Sequence, residues 1–300
     1  MKIAITGATG FLGRYILKQL IQEGHFCRCW KRFNKDLTGF ENLGGEVEWI
    51  EGDLASQESY KRLIRGMDVV VHAALARPKG LQFRASPGKE LMEFLHLNLT
   101  GSISLMNESK DTGVGRFIFI STCAVHEVIL DDLPLDESHP LWPLSHYGAY
   151  KASVEKFIHS YGFGEGWNVC ALRPTGVYGL AYPPEESKWT DLIRRVKKAG
   201  PISVSKGGKE VHAADVAKAV SLLLRADGTA GQAYNCYDMY IAEQEVARIA
   251  SKILKNNCII EDVNKGPKHE INTQKIRNLG MVFGGKKLLQ ETVEEILKFV

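Results

Sequence analysis

Thr6-Gly7-Ala8-Thr9-Gly10-Phe11-Leu12-Gly13 is the stretch on which the reading of this chain turns. Before it, Lys2 to Thr6 is short and apolar, which predicts a strand. After it, Phe11 to Glu23 has helical periodicity and stops at Gly24. Glycines spaced Gly7-x-x-Gly10-x-x-Gly13 between a strand and a helix allow a tight turn and a close backbone approach to a pyrophosphate. The helix that opens there offers unpaired N–H groups and its positive dipole end. The plain alternative is a strand-to-helix turn with incidental glycines.

Outward from this loop the alternation continues. Strands are predicted at Phe26 to Trp30, Val47 to Ile50, Asp68 to His72, Arg116 to Ser121 and Asn168 to Leu172. Helices are predicted from about Ser56 to Arg65, from about Lys89 to Asp111 with a stop at Gly113, and through Tyr147 and Lys151 to about Tyr161. Strands apolar from end to end and spaced by helices imply a parallel sheet covered on both faces. The fold class is therefore α/β, a doubly wound parallel Rossmann-type sheet with a smaller C-terminal substrate lobe. Tyr182-Pro183-Pro184 breaks the pattern, while a helix from about Ala214 to Arg225 and a strand near Ala233 to Cys236 rejoin the sheet. This puts residues 1–173 plus about 212–238 in the dinucleotide-binding domain, and about 174–211 and 239–300 in the substrate-binding lobe. Leu75 to Pro87 reads as a surface loop near the cofactor edge.

Composition narrows the function classes. The 300 residues suffice for a sizeable core, with 44% hydrophobic and 24% charged residues. A formal charge of +3 does not point to nucleic acid. The densest basic run, Arg194-Arg195-Val196-Lys197-Lys198, reads as a solvated helix face. The chain enters a strand pattern at once, leaving no room for a secretory signal, and no apolar run approaches the roughly 20 residues that span a bilayer. A cytoplasmic protein without membrane contact is expected. Cys27, Cys29, Cys123, Cys170, Cys236 and Cys258 are scattered, reading as reduced, mostly buried thiols, and no metal site is expected.

Tyr147-Gly148-Ala149-Tyr150-Lys151 supplies the chemistry. Its spacing sets a phenol and an ammonium one helical turn apart on one face. A phenol titrates near ~10, and a neighbouring cation brings it toward useful acid/base behaviour. Strand five ends in Ser121-Thr122, at the carboxyl edge where open α/β sheets bind ligands. Thr122 is the choice for orienting a substrate oxygen, with Ser121 second. Strand two ends in Trp30-Lys31-Arg32, where an acid would favour NAD. Arg32 suits the 2′-phosphate of NADP, unless the run is only a solvated basic turn. Asp53 either accepts from the adenine amino group or complements a helix dipole.

These residues resemble the extended short-chain dehydrogenase/reductases, also called the NAD-dependent epimerase/dehydratase family. The likeness covers nearly the whole chain. It includes the glycine loop, Asp53-Leu54, Val70-Val71-His72-Ala73-Ala74, Asn98-Leu99-Thr100-Gly101, Phe119-Ile120-Ser121-Thr122, Tyr147 to Lys151, Leu172-Arg173-Pro174 and Val211 to Ala217. The resemblance implies that Gly7, Gly10, Phe11, Leu12 and Gly13 line the pyrophosphate and that Asp53 and Leu54 meet adenine. It also implies that Ala73, Ala74 and Leu75 pass along the cofactor, that Asn98 lies near its ribose, and that Thr122, Tyr147 and Lys151 form the catalytic set. Homodimers through helices like the one carrying Tyr147 are implied too.

Some positions depart from the family pattern. Cys123 follows Thr122 where 4,6-dehydratases carry an acidic pair, which counts against dehydration. Gly208-Lys209-Glu210 stands where many UDP-sugar enzymes place an Arg-Asp pair, and Val125-His126 replaces Val-Tyr. The main expectation is an NAD(P)-dependent oxidoreductase, NADP slightly favoured, acting on a small-molecule carbonyl or alcohol. A sugar-nucleotide epimerase with tightly bound NAD is the alternative. A non-catalytic NADP sensor is a further one, which the Tyr147/Lys151 pair argues against. His212 is read as packed rather than catalytic. Tyr178, Tyr182 and Trp189 are read as stacking or packing residues.

Overall fold

Wholly apolar runs in the first half become strands buried on both faces. In chain order this half comprises β1 (Lys2–Thr6), α1 (Phe11–Gln22), β2 (Phe26–Lys31), β3 (Val47–Glu51), α2 (Gln57–Ile64), β4 (Val69–His72), α3 (Leu91–Leu95), α4 (Gly101–Asp111), β5 (Arg116–Ile120), α5 (His146–His159) and β6 (Val169–Pro174). The second half adds β7 (Gly176–Tyr178), α6 (Thr190–Lys197), β8 (Gly207–His212), α7 (Ala213–Arg225), β9 (Ala233–Cys236), β10 (Met239–Ala242), α8 (Glu243–Leu254), α9 (Gln274–Arg277) and α10 (Gly285–Leu297). The computed structural model describes residues 1–33, 36–41, 43–44, 46–77, 86–261 and 266–300. Most of the predicted loop from Leu75 to Pro87 lies outside these residues.

Two compact units result, residues 1–174, 217–236 and 272–281 in the first, and 175–216, 237–271 and 282–300 in the second. The first holds a parallel sheet of seven strands in the order β3-β2-β1-β4-β5-β6-β9. Strand order reverses between β1 and β4, the switch point outside whose carboxyl ends such sheets bind ligands. Ile3, Ile5, Val70, Val71, Phe117, Phe119 and Leu172 are fully buried along the central strands. The segment 272–281, expected in the second lobe, belongs to the first unit. Asn272 N donates to Leu135 O at 2.8 Å, Lys275 Nζ donates to Gln232 Oε1 at 2.7 Å, and Ile276 is fully buried.

The second unit has its own sheet, β10-β8-β7, in which β8 runs antiparallel to β10 and parallel to β7. Its core joins Ile193 and Val196 of α6, Val246 and Ala250 of α8, and Leu289, Val293 and Ile296 of α10. Tyr178 is fully buried in that core and thus packs, while Trp189 is half-buried and Tyr182 exposed. The six cysteines are free thiols. Among the described residues no helix is long and apolar enough to cross a membrane.

Two helices depart from simple α periodicity. The single helix predicted from Lys89 to Asp111 is a 3-10 turn (Gly88–Glu90), then α3, a π turn (His96–Thr100) and α4. A π turn admits one extra residue and widens the helix locally. Here it turns Asn98 fully inward and brings Gly101 against Leu54, where an added Cβ would sit 2.9 Å from Leu54 O. The helix carrying Tyr147 likewise ends in a π turn, Ser160–Gly164. Gly162 of that turn packs on Gly231, and a Cβ on it would fall 1.9 Å from Gly231 N. Since Gly231 N donates to Val169 O at 2.8 Å, the clash would displace the start of β6. Gly162→Ala is expected to lower stability by about 1–3 kcal/mol, read from urea denaturation midpoints.

Candidate active site

The glycine loop is a cradle built from close backbone approaches. Gly7 has φ +74°, and a Cβ on it would lie 2.7 Å from the Ala73 carbonyl, so β1 and β4 touch through main chain alone. A Cβ on Gly13 would come within 2.0 Å of Gly7 O. Gly10 caps α1 in extended conformation with no side-chain cap, and the first turn holds no acid. The positive end of α1 therefore meets no acidic side chain of its own first turn, and Phe11 and Leu12 sit half-buried there. A dinucleotide pyrophosphate fits this donor set.

The strand opposite is held by a buried polar chain. Ala74 N donates to Thr6 Oγ1 at 3.1 Å, and Thr6 Oγ1 lies 2.6 Å from His72 Nδ1. His72 Nε2 lies 2.8 Å from Ser102 Oγ, which donates to Asn98 O. Because the Ser102 proton is committed to Asn98, Nε2 must donate and Nδ1 must accept from Thr6. This tautomer is neutral, and full burial pushes the His72 pKa down to about 3. Asn98 was expected near a ribose. Its amide is bonded to main chain: Nδ2 donates to Ala76 O at 2.7 Å and Phe94 O at 2.9 Å, and Oδ1 accepts from Ala76 N at 2.8 Å. It pins the Ala73–Ala76 segment, with Leu75 half-buried, along the mouth of the cradle.

At the other strand ends, Lys31 pairs with Glu51 of β3 at 3.3 Å. Arg32 stands exposed just past β2, so the basic pair reduces to that one guanidinium. Asp53 is exposed after β3 and accepts from Ala55 N at 2.9 Å. Ser56, not Asp53, caps α2, its Oγ accepting from Ser59 N at 3.3 Å. Leu54 is buried, and its carbonyl accepts from Tyr60 Oη.

The catalytic candidates are drawn to the carboxyl end of β5. Thr122 opens a 3-10 turn (Cys123–His126), its Oγ1 accepting from Ala124 N at 3.1 Å. Ser145 caps α5 by accepting from Gly148 N at 3.1 Å, and Glu127 accepts from Leu144 N and Ser145 N at 2.6 and 2.8 Å. A Cβ on Gly148 would lie 2.6 Å from Ala124 O, so the helix carrying Tyr147 starts directly on the Thr122 turn. Tyr147 is half-buried. Lys151 is buried, donates to Ile120 O at 2.5 Å, and has its Nζ 6.0 Å from the Tyr147 ring centre. Burial pushes the Lys151 pKa down to about 7, against the attraction of Glu155.

Ser121, the second choice for orienting substrate, is buried and donates to Glu155. Glu155 and Arg173 form an ion pair at 2.6 Å with both side chains 1% exposed. Arg173 Nη1 lies 3.1 Å from His126 Nε2 and donates to Glu137 O at 3.3 Å. Glu155 was not singled out in the sequence, although its place four residues after Lys151 is a readable signal. Cys123 Sγ donates to Arg173 O at 3.0 Å, and burial pushes its thiol up to about 12, so it offers no acid where a dehydratase carries one. Among the described residues no group of three or more His, Cys, Asp or Glu side chains is placed to hold a metal.

Residues 3–236 match the model of the NAD dependent epimerase/dehydratase family. The chain belongs to that family. It is accordingly an NAD(P)-dependent enzyme, an oxidoreductase or epimerase. The dTDP-D-glucose 4,6-dehydratase of Mus musculus is 26% identical over 282 residues, 88% of this chain and 74% of that protein. The 4-hydroxy-2-methyl-3-oxo-4-farnesyl-3,4-dihydroquinoline-1-oxide ketoreductase of Stigmatella aurantiaca is 31% identical over 184 residues, 60% of this chain and 51% of that protein. The UDP-glucose 4-epimerase of Thermus thermophilus, solved in complex with NAD, aligns at TM-score 0.75 over all of both chains with 22% identity, a likeness of fold.

The buried histidines of this family member set an acid limb of stability. His72, His126 and His212 are pushed down to about 3, 4 and 4, mainly by burial. The unfolded chain therefore binds protons that the folded chain refuses between about pH 6.5 and pH 3. The stability is complete above that window and falls as pH drops through it. Urea midpoints are expected to decline across it, and His126→Gln should flatten the slope.

Proposed function

We propose that this enzyme catalyses reversible hydride transfer at a carbonyl/alcohol carbon, with Tyr147 as the acid/base and NADP preferred. The observation that carries the reading is Lys151, a buried ammonium one turn from Tyr147 at the end of β5, on the same sheet edge as the glycine cradle. When bound, the nicotinamide cofactor supplies or accepts the hydride. Gly7, Gly10, Phe11, Leu12 and Gly13 hold its pyrophosphate, Asp53 accepts from adenine, and Arg32 pairs with a 2′-phosphate. Thr122 orients the substrate oxygen. Tyr147 gives that oxygen a proton in reduction and takes it back in oxidation. The Lys151 charge lowers the cost of the phenolate that results.

A sugar-nucleotide epimerase is the second reading, favoured by what several relatives are named for. There Tyr147 would take a hydroxyl proton and give it back to the same oxygen, inversion at carbon arising because the keto sugar would turn over before hydride returned to it. Against it stands Glu210 of β8, buried and paired with Lys188 at 2.5 Å, in the stretch where a diphosphate-binding cation would be sought. Its carboxylate fills the space beside Gly176 and Gly208, where an added Cβ would come within 2.5 Å of it.

Tyr147→Phe is expected to lower kcat by about 10²–10⁴-fold while the Kd for NADPH holds, measured by steady-state kinetics and fluorescence titration. Arg32→Ala is expected to weaken NADPH about tenfold and leave NADH unchanged. Equal binding of the two cofactors by the unaltered enzyme would refute the NADP preference. Tightly held NAD(H) in protein as isolated, with interconversion of a UDP-sugar pair, would replace the first reading by the second.

A further inference from the structure

Burying an ammonium costs more than one hydrogen bond returns, so a lysine only 4% exposed needs compensation from other directions. The carbonyl of Ile120 provides one contact at 2.5 Å. The carboxylate on the next turn, Glu155, is shared with Ser121 and Arg173. The remaining close neighbours given by the geometry are rings: Nζ lies 4.2 Å from the centre of Phe119 and 5.0 Å from that of Tyr150. Both rings are buried, and Tyr150 is fixed edge-on against Phe94 at 5.6 Å and Tyr147 at 5.9 Å. Among the described residues the Tyr150 hydroxyl has no hydrogen-bond partner. An unpartnered buried hydroxyl is a cost, so what Tyr150 contributes here is its π-face.

We propose that Tyr150 is a positioning residue whose ring, together with that of Phe119, holds the Lys151 ammonium at the end of β5 and keeps it charged. The ring faces attract a cation and leave a neutral amine almost indifferent, so they oppose the desolvation that drives the proton off. Charged or titratable groups facing Lys151 are Tyr147 and Glu155 on α5, neutral His72 on β4, and Arg173 on β6, which Glu155 neutralises. Of these Glu155 favours the ammonium, and its charge is divided. The rings therefore decide how much of the ammonium survives near neutral pH, where Tyr147 needs it. The proposal rests on Lys151 belonging to the catalytic set, and its test reads the amine itself.

In protein labelled with carbon-13 lysine, the ε-methylene signal of Lys151, assigned by its loss in Lys151→Met, is titrated from about pH 5 to about pH 10. Tyr150→Leu, which keeps apolar bulk and removes the π-face, is expected to lower the midpoint by roughly half a unit to one unit. Tyr150→Phe, which keeps the face, is expected to match the unaltered protein. An unmoved midpoint in Tyr150→Leu overturns the proposal. An equal drop in Tyr150→Phe also overturns it, because the effect then belongs to the hydroxyl. Should Tyr150→Leu not fold, Phe119→Leu removes the nearer ring and is held to the same expectation. An inactive enzyme that shows these shifts would sink only the catalytic reading, and an active one without them only the clamp.

Discussion

The ion pair between Glu155 and Arg173, sealed from water, is the constraint on which the catalytic end of the first unit depends. Its charges come from α5 and β6, and its remaining hydrogen bonds reach Ser121 after β5, His126 in the Thr122 turn and the carbonyl of Glu137. Four separate pieces of chain are thereby tied to one point. Replacing such a pair by apolar side chains of equal volume is often neutral, whereas losing one partner strands a charge at about 3–5 kcal/mol. The pair is therefore better understood as a device for geometry than as a source of stability. It fixes where α5 lies along β5, and with that the height of Lys151 against Ile120.

A second constraint is purely steric. Gly7 and Ala73 meet through main chain, and Gly13 meets Gly7 in the same way. These contacts draw β1, β4 and the first turn of α1 into one small patch whose donors face outward from the strand ends. The Thr6–His72–Ser102–Asn98 chain then ties that patch to α4 and to the Ala76 backbone. Every hydrogen bond in it is satisfied only by a neutral imidazole, so the cradle carries no buried charge of its own to compete with an anion.

The sheet was legible because its strands are continuous apolar runs, and β1, β9 and the start of α1 fall where periodicity and glycine stops put them. The π turn at His96–Thr100 was not legible. One extra residue in a helical pattern leaves hydrophobic spacing nearly intact, and only the inward Asn98 betrays it. The sheet of the second unit escaped for a different reason: β8 reads Gly-Gly-Lys-Glu-Val-His, too polar and too glycine-rich to register as a strand. Among the site candidates, Thr122 was ranked ahead of Ser121 without a packing argument, because alternation along a strand end does not say which face carries the ligand. In the structure Ser121 donates to Glu155, and Thr122 Oγ1 accepts from Ala124 N. Tyr150 gave no signal, since an aromatic residue beside a lysine has no meaning until the ring faces are placed.

The widened turn before α4 also limits which insertions and deletions this lineage can tolerate. Removing any one residue between His96 and Thr100 would let the segment relax to an ordinary α-helix. Because the wide turn had absorbed one extra residue, the helix beyond it would keep nearly its former rotation about the axis. Ser102 would stay beside His72, while the inward setting that carries Asn98 to Ala76 would be lost. A single-codon loss there would thus cost one backbone anchor and spare the helix beyond it, whereas the same loss within the regular turns of α4 would rotate all that follows by about 100°.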